Sequence, residues 1–179
     1  MNSSRLRIIH GLVFLILAYF LCAFQTVVWY QLLGTVAPPF FCYIVFIYFG
    51  LDKEDWKSIV YCYGCVFIYS FFTYASLGIL LVTCMFNYIF LYVIKTRVYW
   101  PGAIYFTMIS GISITLFHVT YVLNSYLFES RFTPLVFWDR FFQVLLTTLV
   151  AFYAYPILKK MDTLFKPDLP SEVHGDLNG

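Results

Sequence analysis

The sequence predicts an all-α polytopic membrane protein with six transmembrane helices and both termini on the cytoplasmic side. Three observations carry this. Hydrophobic residues make up 62% of the 179 and charged residues only 11%, against about a quarter charged in an ordinary soluble chain; mean hydropathy is +0.82. Six apolar stretches, at 8–33, 37–51, 57–74, 76–94, 102–127 and 134–158, follow one another almost without interruption. Basic residues collect in alternate loops: Arg5 and Arg7, Lys53 and Lys57, Lys95 and Arg97, then Lys159, Lys160 and Lys166, with Arg131 alone on the other side. Because retained Lys and Arg favour the cytoplasmic face, the alternation predicts N-in and C-in.

The first stretch has the outline of a signal peptide, with Arg5 and Arg7 ahead of an apolar run. That run exceeds a typical signal core and no small-x-small site follows, so it reads as a retained anchor. The second, "PPFFCYIVFIYFGL", is short for a crossing that takes about 20 helical residues. Pro38 and Pro39 open it, Pro101 opens the fifth and Pro134 the sixth, at first-turn sites where a missing N–H costs least. Only "YASLG" separates the third stretch from the fourth, which leaves a long re-entrant hairpin as the alternative to two spans. In the fifth, Gly102, Ser110, Gly111 and Ser113 form a small-residue stripe that lets a neighbouring helix approach closely. Residues 1–160 thus make one six-helix domain. Residues 161–179, ending "KPDLPSEVHGDLNG", have little to bury and read as a disordered cytoplasmic tail.

Cys22, Cys42, Cys62, Cys65 and Cys84 all fall within the apolar stretches. "CYGC" has metal or redox spacing, but no second cysteine pair or nearby histidine completes four ligands. The cysteines therefore read as small residues filling helix contacts, and no metal, disulfide or cofactor is predicted.

Polar residues inside spans are costly and usually face a partner or a cavity. They are Gln25, Asn87, His118, Asn124, Asp139, Arg140 and Gln143. At ~1.5 Å rise per residue, Asp139 lies about 8 Å and His118 about 14 Å below the outer end of its span. His118, Asn124, Asp139, Arg140 and Gln143 form the candidate site, a polar cluster for helix packing or partner binding. Asp139 and Gln143, four residues apart, share a helix face. They are predicted to turn toward the fifth span and bond His118 or Asn124. Arg140, rotated about 100° from Asp139, is predicted to reach the headgroups or pair with Glu129. Thr115, Thr120, Ser125 and Thr147 are nucleophile candidates for a His118–Asp139 pair, but no nucleophile elbow, oxyanion glycines or second acid accompanies them. HExxH, GxGxxG and Walker patterns are absent. The sequence predicts no enzyme and no nucleic-acid partner.

Four stretches in order carry a family resemblance: "AFQTVVWYQLLGTVAPPFFCYIVFIYFGL" (23–51), with a first-span Gln and a Pro opening the second span; "YGCVFIYSFFTYASLGILL" (63–81), with a Leu-Gly turn; the basic loop "IKTRVYW" (94–100); and "YPILKKMDTLF" (155–165). Nearly the whole chain resembles the rod shape-determining protein MreD family. The third span departs from the family pattern, having no acid after its glycine stretch. The resemblance implies a non-enzymatic scaffold of the bacterial inner membrane. Its implied partners are an MreC-like protein and, in the same complex, MreB, RodA and a penicillin-binding transpeptidase, within membrane lipid. It also implies a fold similar to the substrate-binding subunit of energy-coupling-factor transporters. A vitamin-binding transporter subunit is therefore the alternative, and the 41 aromatic residues suit a pocket and an interfacial belt equally.

Overall fold

The computed structural model describes residues 3–34, 36–52, 56–98, 102–129 and 136–165, with backbone alone for 3–8, 10, 52, 56, 57 and 165. Among the described residues every regular element is helical. Helix α1 (Ser3–Ala23) passes through a π-helical segment (Phe24–Val28) into α2 (Trp29–Leu33). Then come α3 (Phe41–Asp52), α4 (Trp56–Ser70), α5 (Leu77–Arg97), α6 (Ala103–Phe128) and α7 (Phe137–Phe165). Gly34, at φ 59°, ends α2 by taking a left-handed conformation that costs glycine little.

Among the described residues four helices are long and apolar enough to cross a membrane: Gly11–Leu33, Leu77–Arg97, Ala103–Phe128 and Phe137–Leu164. The chain is a helical protein of transmembrane character. The second and third expected spans are the shorter apolar helices Phe41–Leu51 and Ser58–Ser70. At ~1.5 Å per residue, the 12 residues of α3 extend only about 18 Å of a ~30 Å hydrocarbon core.

The packing explains how so short a helix is held. Helices α1, α4, α5, α6 and α7 touch one another in a closed ring, and α3 touches all five. Every residue from Cys42 to Leu51 is buried, the position suited to a helix that is apolar on all faces. Around it Phe14 stacks on Tyr48 with ring centroids 6.0 Å apart, and Tyr43 on Phe46 at 4.9 Å. Small residues set the close approaches. A Cβ on Gly11 would overlap the Tyr61 ring, and one on Gly111 would lie 3.0 Å from the Thr148 hydroxyl. Of the expected small-residue stripe, Gly111 makes this approach to α7, Ser113 faces Tyr43 and Asn87, and Gly102 precedes α6 with nothing within 4 Å.

Pro38 and Pro39 lie just outside the first turn expected for them. They sit in a non-helical stretch, 37–40, buried from Pro38 on, in which Phe41 N–H turns back to the Pro39 carbonyl (2.9 Å), and the first helical bond of α3 runs from Ile44 N to the Phe40 carbonyl (3.2 Å). The ring nitrogens need no partner. The backbone groups that do are met by α7: Gln143 Nε2 donates to the Pro38 carbonyl (2.9 Å), and Phe40 N–H donates to Thr147 Oγ1 (2.9 Å). Non-helical backbone at membrane depth is tolerated where protein satisfies it in this way. Between α4 and α5 the chain turns at 71–76, and Ser76 Oγ accepts from Ile79 N (3.5 Å).

Helix α7 continues through Phe165, so residues 161–165 belong to the bundle and not to the tail. Leu158 and Asp162, one turn apart, are both buried, so the inward face persists past the expected boundary. Residues 166–179 of the expected tail, and Pro101 and Pro134, lie outside the described residues. Of the loop charges, so do the side chains of Arg5, Arg7, Lys53, Lys57, Arg131 and Lys166.

Cys62 and Cys65, at one-turn spacing on α4, are buried against α3. The Cys62 thiol donates to the Phe46 carbonyl (3.5 Å), and Cys42 on α3 donates to the Cys65 carbonyl (3.7 Å). These cysteines are packing residues with weak donors.

Candidate functional site

Pairings along neighbouring helices fix their direction. On α6 and α7, Phe106 meets Tyr155 (centroids 5.1 Å) and Gly111 meets Thr148. On α5 and α6, Thr83 meets Asn124 (3.1 Å) and Asn87 meets Ser113 (3.4 Å). Both pairs are antiparallel, so α5 and α7 run the same way. Lys95, Arg97, Lys159 and Lys160 therefore share one end of the bundle, and Glu129, Asp139 and Arg140 share the other.

The second end is open. A cleft of about 810 Å³ lies between the π segment, the 37–40 stretch, the 71–76 turn and the start of α7. Gln25, Thr26, Thr73, Asp139, Arg140 and Gln143 supply its polar lining, Tyr30, Tyr69, Phe71, Phe72 and Tyr74 its aromatic lining, and Pro38 lies on its wall. Gln25 is 4% exposed and its Oε1 has no hydrogen-bond partner among the described residues. It continues the inward stripe of Gly11, Phe14, Ala18 and Cys22. The π turn at this point follows the tendency of π segments to occur at functional sites. Arg140, half-buried, donates Nη1–H to Gln143 Oε1 (3.2 Å). Asp139 is exposed at the rim.

The five residues expected to form one cluster are divided among different settings. Asp139 and Gln143 do share a face, and with Arg140 they line this cleft. The expected bonds from them to His118 or Asn124 are not made. Gln143 is taken by the Pro38 carbonyl and Arg140. Asn124 donates instead to Thr83 Oγ1 on α5 (3.1 Å). It belongs to a seam in which Ser113 Oγ donates to Asn87 Oδ1 (3.4 Å), Asn87 donates to the Thr83 carbonyl (3.0 Å), and Tyr43 on α3 meets Ser113 (3.3 Å). This seam is interhelical glue. Arg140 does not pair with Glu129, which accepts from Ser125 Oγ (2.6 Å). His118 is buried among aromatic rings, 5.9 Å from Phe40 and 5.8 Å from Phe117 by centroid, and its Nε2 has no partner among the described residues.

Gln25 is the cleft residue left outside the expected cluster. Its signal in the sequence was a lone amide in an apolar run, at a spacing of three from buried Cys22. Tyr69, Thr73 and Tyr74 had no such signal, because tyrosine and threonine are common throughout these helices. No group of three or more His, Cys, Asp or Glu residues able to hold a metal occurs among the described residues. No protein-family model matches this chain, and no similar curated protein or solved structure was found.

Proposed function

We propose that the chain spans a bacterial inner membrane six times, with both termini inside, and acts as a non-enzymatic scaffold of the rod elongation complex. On this reading the cleft is where it holds an MreC-like partner, and MreB, RodA and a penicillin-binding transpeptidase join the same assembly. One observation carries the proposal. Gln25 and Pro38, residues on which the resemblance of 23–51 to the MreD family rests, line the same cleft as Arg140 and Gln143. Tyr69, Thr73 and Tyr74, from the second resembling stretch, line it as well. The orientation is supported by Lys95, Arg97, Lys159 and Lys160 at the opposite end, the cytoplasmic end by the positive-inside rule.

The test is co-purification of the full chain with an MreC-like protein encoded in the same genome. Recovery of the partner, its loss in Gln25→Leu and Arg140→Gln, and rounded cells on depletion support the scaffold. Rod-shaped cells after deletion, or undiminished partner recovery in both variants, overturn it.

The cleft's volume favours a second reading, a substrate-binding subunit of an energy-coupling-factor type transporter. Ligand pockets commonly measure about 300–1,000 Å³, and the unpartnered Gln25 Oε1 could accept a ligand N–H. Native mass spectrometry of the purified chain should then detect a bound vitamin-sized molecule. A ligand-free spectrum in every detergent and buffer tried removes this reading.

A further inference from the structure

On the other side of Arg140 lies a second recess, a groove of about 460 Å³ between α6 and α7. Thr115, His118 and Leu123 line it from α6, and Phe137, Arg140 and Val144 from α7. Its outer walls are exposed: Val119 is 51% and Phe137 67% accessible, so in a bilayer the groove opens sideways to hydrocarbon. From Thr115 to Leu123 it follows α6 for about 12 Å, close to the ~15 Å of one leaflet. Those dimensions suit an acyl chain.

Three polar residues break this apolar lining; the Thr115 hydroxyl is satisfied by the Gly111 carbonyl (2.8 Å), and His118 and Arg140 have capacity to spare. His118 is 8% exposed, with Nε2 buried and without a partner among the described residues. The Arg140 guanidinium belongs to both the groove and the cleft; among the described residues it gives a single hydrogen bond, to Gln143, out of five N–H donors. The antiparallel pairing of Gly111 with Thr148 puts His118 level with Phe141, beside Arg140. Asp139 lines the cleft next to Arg140, and the two form no ion pair with each other. Midway along the groove the Arg140 guanidinium thus borders both recesses, with the Asp139 carboxylate next to it in the cleft.

We propose that groove and cleft together hold one phospholipid with an ethanolamine headgroup. Its phosphate sits on Arg140, its ammonium on Asp139, an ester oxygen near His118 Nε2, and one acyl chain between α6 and α7. The zwitterion matches the two opposite charges of the site. An anionic glycerol headgroup would leave Asp139 facing a phosphate without an intervening ammonium, and a choline headgroup offers Asp139 no N–H. This assignment shares Arg140 and the cleft with the scaffold reading, but it requires only that α6 and α7 lie in a bilayer, and its test reads lipid retention without any protein partner.

The experiment reconstitutes the full chain in nanodiscs containing equal phosphatidylethanolamine, phosphatidylglycerol and phosphatidylcholine. Native mass spectrometry on release into detergent then reads the retained lipid. Expected is one retained phosphatidylethanolamine, enriched about fivefold, the ratio that one exposed ion pair can supply. Asp139→Asn should keep a lipid and lose the preference, and Arg140→Gln should lose the lipid. Val119→Trp, on the exposed wall, should also lose it by filling the groove while leaving the buried core untouched. Retention of no lipid, equal retention of the three classes, preference for phosphatidylglycerol or phosphatidylcholine, or retention undiminished in Val119→Trp each overturns the proposal.

Discussion

Thr147 offers the sharpest test of how α3 is held at the centre of the bundle. It is fully buried, and its hydroxyl oxygen accepts from Phe40 N–H at 2.9 Å while its hydrogen goes to the Gln143 carbonyl one turn back. Thr147→Val preserves shape and removes the only acceptor seen for that N–H among the described residues. A buried donor left without a partner costs about 1–3 kcal/mol. Interhelical polar contacts in membranes average ~0.6 kcal/mol with a maximum near 1.7, because the unfolded chain in lipid also finds partners. The Phe40 N–H lies in non-helical backbone just before the first helical bond of α3, so the upper part of the membrane range applies, about 1–1.7 kcal/mol. That is about a tenfold change in the unfolding equilibrium, since ~1.4 kcal/mol is a factor of ten. Thr147→Ser, which keeps the hydroxyl and loses a methyl, separates the hydrogen bond from packing: removing one buried carbon should cost about 0.5–1.5 kcal/mol. Reversible unfolding in mixed micelles, or steric trapping in bicelles, gives both values. If Thr147→Val is as stable as wild type while Thr147→Ser is destabilised, packing alone holds the unwound stretch and the reasoning fails.

Three further outcomes follow from the packing. Gln25→Leu removes a buried oxygen that has no partner among the described residues, so stability should stay within about 0.5 kcal/mol of wild type or rise while recovery of the partner or ligand falls; a large loss of stability would show that Gln25 is structural. Gly11→Leu should destabilise by about 1–3 kcal/mol by overpacking against Tyr61, which stacks on Phe49 at 5.1 Å, and Tyr61→Ala should restore part of the loss; no restoration would locate the clash elsewhere. All five cysteines are at most 4% exposed, so a membrane-permeant maleimide should label none in the folded protein and all after denaturation in dodecyl sulfate; labelling of Cys62 or Cys65 before unfolding would contradict their placement against α3.

How much was legible depended on whether a residue's partners lay on its own helix. The apolar runs gave the helices, and the i, i+4 spacing correctly put Asp139 and Gln143 on one face. The central place of α3 was present in "FCYIVFIYFGL" as a run with no charged residue on any face, but length alone suggested only a short span. Partners across the chain were not legible. Gln143 bonds a carbonyl 105 residues away, and carbonyls carry no sequence signature. Asn124 chose Thr83 over the residues of α7 for the same reason: depth estimates place groups at a level in the membrane but do not give the rotation of a helix about its axis. Asp139 was expected to need a partner because it was counted as five residues into a span. Its helix begins at Phe137, so the carboxylate lies in the first turn, near the positive end of the helix dipole, and is exposed at the rim.

These placements connect the fold to the site. A helix too short to cross the core leaves a length of non-helical backbone at one end, and that backbone must be satisfied by side chains from a neighbour. Gln143 and Thr147 do this from α7, which fixes the rotation of α7 and with it the direction of Arg140, three residues before Gln143. The guanidinium is thereby held on Gln143 Oε1, between a polar cleft on one side and an apolar groove on the other, instead of extending to the headgroups as an unconstrained arginine would. The opposed charges of "FWDRFFQ" consequently differ in setting: Arg140 borders both groove and cleft, and Asp139 the cleft alone. The arginine is positioned by the same residue that stabilises the break before α3, and the aspartate is left exposed at the rim of the cleft.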